Sequence, residues 1–71
     1  MTRYNFRVIY DAEVQYEWDE GFLSSNDATA QATRVVREVL EHSPDCEGVM
    51  ILVTDEKRNR IATVQAPELI A

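Results

Sequence analysis

The chain has 71 residues and a formal net charge of −6, from 13 acidic and 7 basic side chains. A chain of this length forms one domain with a small core, since roughly 60% of its unfolded surface is buried on folding. The negative balance opposes a general affinity for phosphate backbones or anionic membranes. We therefore expect one domain over residues 1–71 that binds neither nucleic acid nor membranes.

Cysteine content and hydropathy indicate the cellular compartment. One cysteine, Cys46, cannot close an internal disulfide, which is typical of a reducing cytoplasm. No apolar run approaches the roughly 20 residues of a membrane span. The N-terminus lacks the apolar core of a secretory signal. These features predict a cytoplasmic protein.

The first part of the chain alternates with period two and predicts two antiparallel strands. A short reversal at Asp11 separates them, because aspartate bonds its own backbone in turns. Gly21 is expected to end the second strand with a positive φ. The alternating large side chains of the two strands are Tyr4, Phe6, Val8, Tyr10, Val14, Tyr16 and Trp18.

Residues 26–42 predict an amphipathic helix. Asn26 is the favoured N-cap, because it leaves Asp27 in the first turn, where the helix dipole favours a negative charge; Ser25 is the alternative. Pro44 disfavours continuation beyond His42. The apolar stripe comprises Ala28, Ala32, Val35, Val36, Val39 and Leu40.

Two further strands follow the helix. Residues 49–54 are apolar on both faces, as in a central strand. The polar turn 55–59 has Asn59 as its best candidate for a left-handed conformation. Residues 60–66 form the fourth strand, and a loose tail is expected from Pro67. The order ββαββ predicts a two-layer α+β fold, a four-stranded antiparallel sheet with one helix on one face. The first and third strands are the expected central pair.

Several short motifs carry a family resemblance. They are Arg3-Tyr4-Asn5-Phe6, Asp19-Glu20-Gly21, the helix with Ala28 and Ala32, Val53-Thr54-Asp55-Glu56 and Thr63-Val64. In these motifs the chain resembles a family of small bacterial proteins, chiefly alphaproteobacterial, that is classed as a domain of unknown function. That family usually has Gly-Arg after the acidic turn, where this chain has Arg58-Asn59. Because the function of that family is unknown, the resemblance implies no activity.

The chain also has a weaker resemblance to HicB-type antitoxins, whose small domain places an Asp- and Gly-containing hairpin before an Ala-rich helix. This resemblance implies a protein that binds and masks a toxin. Those antitoxins usually carry a separate DNA-binding segment, for which this sequence has no room.

Two polar clusters are candidates for metal or catalytic sites. Asp11, Glu13, Asp19 and Glu20 could bind a divalent cation, but their spacing matches no calcium loop and favours a solvated hairpin. His42 and Cys46 would need two more ligands for zinc, which only a dimer could supply. Cys46 as a nucleophile would need an oriented base and an oxyanion hole, and only His42 is near in sequence. We predict no catalytic residue, no metal and no cofactor.

Two groups of side chains are candidates for nucleic-acid binding. The aromatic residues Tyr4, Phe6, Tyr16 and Trp18 could stack on bases, but they are interleaved with carboxylates, which favours core packing. The basic cluster from Lys57 to Arg60 is short and follows two acidic residues, so a solvated turn is the favoured interpretation.

The sheet face opposite the helix should stay apolar, because one helix covers one face only. Contiguous exposed apolar surface usually marks a contact site, and a twofold dimer is the commonest solution. The alternative is a monomer in which Leu69 and Ile70 fold back over this surface. We predict a non-catalytic protein-interaction module that forms a homodimer; the alternative is an antitoxin-like protein. The candidate interface residues are Ile9, Met50, Leu52, Ala62 and Val64.

Overall fold

The structure, a computed structural model, describes residues 1–45 and 48–65. It contains one helix and four strands in the order ββαββ, so the predicted two-layer α+β fold is confirmed. The elements are β1 (Thr2–Tyr10), β2 (Glu13–Phe22), α1 (Ser25–His42), β3 (Met50–Thr54) and β4 (Arg60–Gln65).

The four strands form one antiparallel sheet with the order β2-β1-β3-β4. β1 and β3 are therefore the central pair, as the sequence predicts. Their burial patterns explain this placement: alternate residues of both strands are buried, whereas β2 and β4 are more exposed. The two edges of the sheet are β2 and β4.

The core lies between α1 and one face of the sheet. Phe6, Ile51 and Val53 contribute fully buried side chains from the two central strands. α1 contributes three completely buried residues, Ala28, Ala32 and Val36. The complete core comprises Tyr4, Phe6, Val8, Ala28, Ala32, Val36, Val49, Ile51, Val53 and Val64.

α1 lies mainly over β3 and β4, with fewer contacts to β2. Because of this placement, the residues of the apolar stripe of the helix differ in their burial. Val36 is completely buried, whereas Val35, Val39 and Leu40 are only partly buried. α1 is also too polar to cross a membrane, and the described residues contain no helix that could.

The helix begins earlier than the sequence predicts. Ser24 is the N-cap, and its hydroxyl oxygen accepts a hydrogen bond of 3.2 Å from the backbone N–H of Asp27. The prediction of Asn26, with Ser25 as the alternative, was therefore wrong. Residues 24–27 are all favourable N-cap types, so the sequence alone does not show which of them precedes the first helical residue.

The turn between β1 and β2 contains two residues with positive φ, 56° at Asp11 and 63° at Ala12. Positive φ at both central positions is the pattern of the type I′ turn. The backbone twist of this turn matches the twist of the two strands that it connects in a hairpin with a two-residue loop. Alanine pays a steric cost in this conformation that glycine would avoid. Gly21 has no positive φ, contrary to prediction, because β2 continues through it and pairs it with Arg3.

The β3–β4 turn is organised by Asp55. Its Oδ1 accepts hydrogen bonds of 2.8 Å from the backbone N–H groups of Lys57 and Asn59. Arg58, with a φ of 67°, takes the left-handed conformation that we predicted for Asn59. Asn59 instead donates from Nδ2 to Asp55 Oδ2 at 3.2 Å, which ties its side chain to the turn.

Some predictions fall outside the described residues. Cys46 lies there, as does the end of the fourth strand at Ala66. The predicted loose tail from Pro67 and the folding back of Leu69 and Ile70 lie there as well.

Candidate interaction surfaces

A bulge in β2 places Val14 on the sheet face opposite α1, which we call the open face. Tyr16 pairs with Val8, whereas Val14 pairs with Ile9, so Gln15 is an extra residue in the ladder. Cross-strand partners share a face, and Val8 belongs to the core beneath the helix. Val14 therefore points away from the core, although simple alternation would group it with Tyr16 and Trp18.

The bulge creates a row of apolar side chains across three strands of the open face. Ile9 pairs with Val14 on one side and with Met50 on the other. Leu52 lies two residues along from Met50 and so faces the same way. Val14 is 54% exposed, and the other three are intermediate in burial. We call Ile9, Val14, Met50 and Leu52 the apolar row.

The row differs from the interface predicted from the sequence. Ile9, Met50 and Leu52 do lie together on the open face, but Ala62 and Val64 do not join them. Val64 is buried in the core and pairs with Ile51, and Ala62 pairs with the fully buried Val53. Including these two residues was therefore wrong. β4 has little contrast between its two sides, so its sequence does not indicate which side faces the helix.

The remainder of the open face carries a polar network. Asn5 Nδ2 donates to Glu17 Oε2 at 2.9 Å and to Asp19 Oδ1 at 3.0 Å. Arg7 Nε donates to the same Glu17 oxygen at 3.1 Å. The two bonds from Nδ2 fix the amide orientation and leave the buried Oδ1 without a donor among the described residues.

This network holds Glu17 in its charged form. Hydrogen bonds from Asn5 and then from Arg7 lower the pKa of the Glu17 carboxyl below its ordinary value of 4.5. Glu17 is therefore ionised at neutral pH, where it accepts hydrogen bonds and has no proton to donate. The network lines a shallow polar pocket of about 350 Å³ that also includes Arg3, Glu56 and Arg58. A pocket that combines acidic and basic side chains in this way is typical of the polar border of a protein interface.

A second apolar surface lies between the helix and the edge of the sheet. Because α1 lies mainly over β3 and β4, it leaves a groove of about 540 Å³ beside β2. Tyr16, on the sheet side, is 65% exposed. This α1–β2 groove is lined by Val8, Tyr16, Trp18, Gln31, Val35 and Val39. The sequence prediction did not include this groove, although the width of the apolar stripe of α1 was a signal that part of it would stay uncovered.

The four acidic residues of the candidate cation site are spread over the hairpin. Asp11 and Glu13 lie at the turn, whereas Asp19 and Glu20 lie toward the other end of β2. Asp19 pairs with Asn5 and Glu20 with Tyr4, so these two carboxylates are on opposite faces. Within residues 1–45 and 48–65, no group of three or more potential ligands could hold a metal ion.

The other candidate sites also remain separate. His42 is exposed in the last turn of α1. The basic side chains of Lys57, Arg58 and Arg60 are exposed near the β3–β4 turn. Among the aromatic residues, Phe6 and Trp18 stack with ring centroids 4.9 Å apart and planes 7° apart. Phe6 is completely buried, so this pair packs in the core as predicted. The prediction of core packing was wrong for Tyr16, which is 65% exposed.

Comparisons with known proteins give no relative. No family model, curated protein or solved structure matches this chain.

Proposed function

We propose that this protein is a non-catalytic protein-interaction module that forms a homodimer through its open face. The observation that carries the proposal is the apolar row, four aliphatic or thioether side chains that cross three strands and that no helix covers within residues 1–45 and 48–65. Exposed apolar surface costs free energy in water, so a partner that covers the row stabilises the protein.

The arrangement of the open face supports a contact between two copies. An apolar centre with a polar rim is the usual anatomy of a protein interface. Here the row is bordered by the network of Asn5, Arg7, Glu17 and Asp19. A twofold axis through the row would bury the same side chains on both copies, as isologous dimers do. An antitoxin-like role stays an alternative prediction of the sequence.

Sedimentation equilibrium tests the proposal. At roughly 10 µM, which detects dimers with micromolar dissociation constants, we expect a mass near twice the 8.2 kDa of one chain. Leu52→Glu should restore the mass of one chain, because the dimer would then bury an unpaired charge.

The matched control for this experiment is Leu23→Glu. Leu23 is 82% exposed and lies outside the open face, so the same substitution there should leave the dimer intact. A wild-type mass of 8.2 kDa would overturn the dimer, and equal behaviour of the two variants would move the interface away from the row.

A further inference from the structure

The outer edge of β2 is a second surface with the properties of a binding site. β2 is ten residues long and, within the described part of the chain, pairs with β1 alone. An edge strand presents unpaired N–H and C=O groups that another extended chain can use. The edge is therefore a template for strand addition.

The α1–β2 groove lies beside this edge. A strand added next to β2 would direct every second side chain to the helix side of the sheet, where the groove lies. The stacked pair of Trp18 and Phe6 gives the groove a fixed wall on the sheet side. Val35 and Val39 of α1 form the wall on the helix side. The side chains that enter such a groove must be apolar.

The charge of β2 indicates which side chains are favoured on the other side of an added strand, away from the groove. The strand has four carboxylates and neither lysine nor arginine: Glu13, Glu17, Asp19 and Glu20. Opposite charges on neighbouring strands stabilise their pairing, whereas like charges destabilise it. A second copy of β2 would bring carboxylates against carboxylates. A basic partner segment is therefore favoured over a second copy of this chain.

We propose that the outer edge of β2 binds an extended segment of a partner protein in which apolar side chains alternate with lysine or arginine. The apolar side chains occupy the α1–β2 groove, and the basic ones lie against the carboxylates of Glu17 and Asp19 on the open side of the sheet. Backbone hydrogen bonds to β2 provide affinity, and the alternation provides specificity, as in other cases of strand addition.

This binding site has a different centre from the dimer surface proposed above. The dimer is centred on the apolar row of the open face, whereas the segment is centred on the edge of β2 and the groove on the helix side of the sheet; the two share the carboxylates of Glu17 and Asp19, which border the row. Because their centres differ, the two proposals can fail independently.

A peptide titration of the full chain tests the inference. The probe is a synthetic peptide of about eight residues, an ordinary strand length, in which lysine alternates with valine. The control peptide has glutamate in place of lysine. Trp18 is the one tryptophan and lines the groove, so its fluorescence reports occupancy directly. We expect saturable binding of the basic peptide that weakens with added salt, and no binding of the acidic one.

Variants and amide exchange locate the binding. Tyr16→Ser should weaken peptide binding on the order of tenfold, as expected for an exposed aromatic contact, whereas Leu23→Ser outside the groove should not. Hydrogen exchange should slow at the amides of β2 when the peptide is bound. Thermal melts show whether each variant is folded.

Three results would overturn the inference. One is equal binding of the two peptides. Another is equal affinity of Tyr16→Ser and Leu23→Ser for the basic peptide, which would indicate general attraction to an acidic protein. The third is protection of β4 amides in place of β2 amides.

Discussion

Val14 and Tyr16 are two residues apart on β2 but lie on opposite faces of the sheet, because the bulge at Gln15 interrupts the alternation. The two residues therefore belong to different surfaces, Val14 to the apolar row and Tyr16 to the α1–β2 groove. We expect Val14→Ser to weaken self-association without affecting the binding of a basic peptide. Tyr16→Ser should do the reverse.

This pair of variants is internally controlled, since both residues are exposed on the same strand and both changes remove a β-forming side chain. Sedimentation equilibrium measures the first effect, and Trp18 fluorescence measures the second. If both variants weakened both activities, the two surfaces would not be separate.

Ala12 is expected to reduce the stability of the protein. With a φ of 63°, it occupies a conformation that glycine adopts without steric cost. Ala12→Gly should therefore raise the free energy of unfolding by about 0.5–1 kcal/mol, the gain being limited by the greater freedom of glycine in the unfolded chain.

Ala30 supplies the matched control in denaturant melts. It lies exposed within α1, where Ala30→Gly should lower stability by about 1 kcal/mol. A loss of stability on Ala12→Gly would mean that the hairpin does not have the type I′ conformation.

The N-cap of α1 can be assigned by alanine substitution. Ser24→Ala removes the acceptor of the Asp27 N–H and should cost about 1 kcal/mol. Asn26→Ala, the cap predicted from the sequence, should change stability by less than about 0.5 kcal/mol, because Asn26 lies exposed inside the first turn. Urea denaturation measures both, and the opposite ranking would restore Asn26 as the cap.

Asp55 should make the stability of the protein depend on pH in the acidic range. Hydrogen bonds from the backbone and side chain of Asn59, and then from the backbone of Lys57, lower its pKa below the ordinary 3.8. A group whose pKa is lower in the folded state contributes stability that is fully present above its unfolded pKa. That contribution is lost as the pH falls through the folded value.

The test is Asp55→Asn, which keeps an acceptor oxygen but cannot titrate. Its unfolding free energy should vary less than that of the wild type between neutral pH and about pH 2–3, the range in which carboxylates become protonated. Identical pH profiles for the two proteins would show that Asp55 is not stabilised as an anion.

The sequence was sufficient for the architecture because its strongest patterns extend over whole elements. The apolar stripe predicts the helix. The third strand, which is apolar on both faces, predicts its own central position in the sheet. The site was only partly predictable, since it depends on single residues. A bulge adds one residue and leaves no clear trace in composition, so the position of Val14 could not be inferred. The small, mixed side chains of β4 likewise concealed that Ala62 and Val64 face the helix.

The most direct test of the central claim is an isotope-filtered NMR experiment on a mixture of labelled and unlabelled chains. It detects pairs of protons that are close together on two different copies of the protein. We predict intermolecular contacts among the side chains of Ile9, Val14, Met50 and Leu52, because the proposed dimer buries the apolar row against itself. The absence of such contacts, or contacts confined to Tyr16, Val35 and Val39, would contradict it.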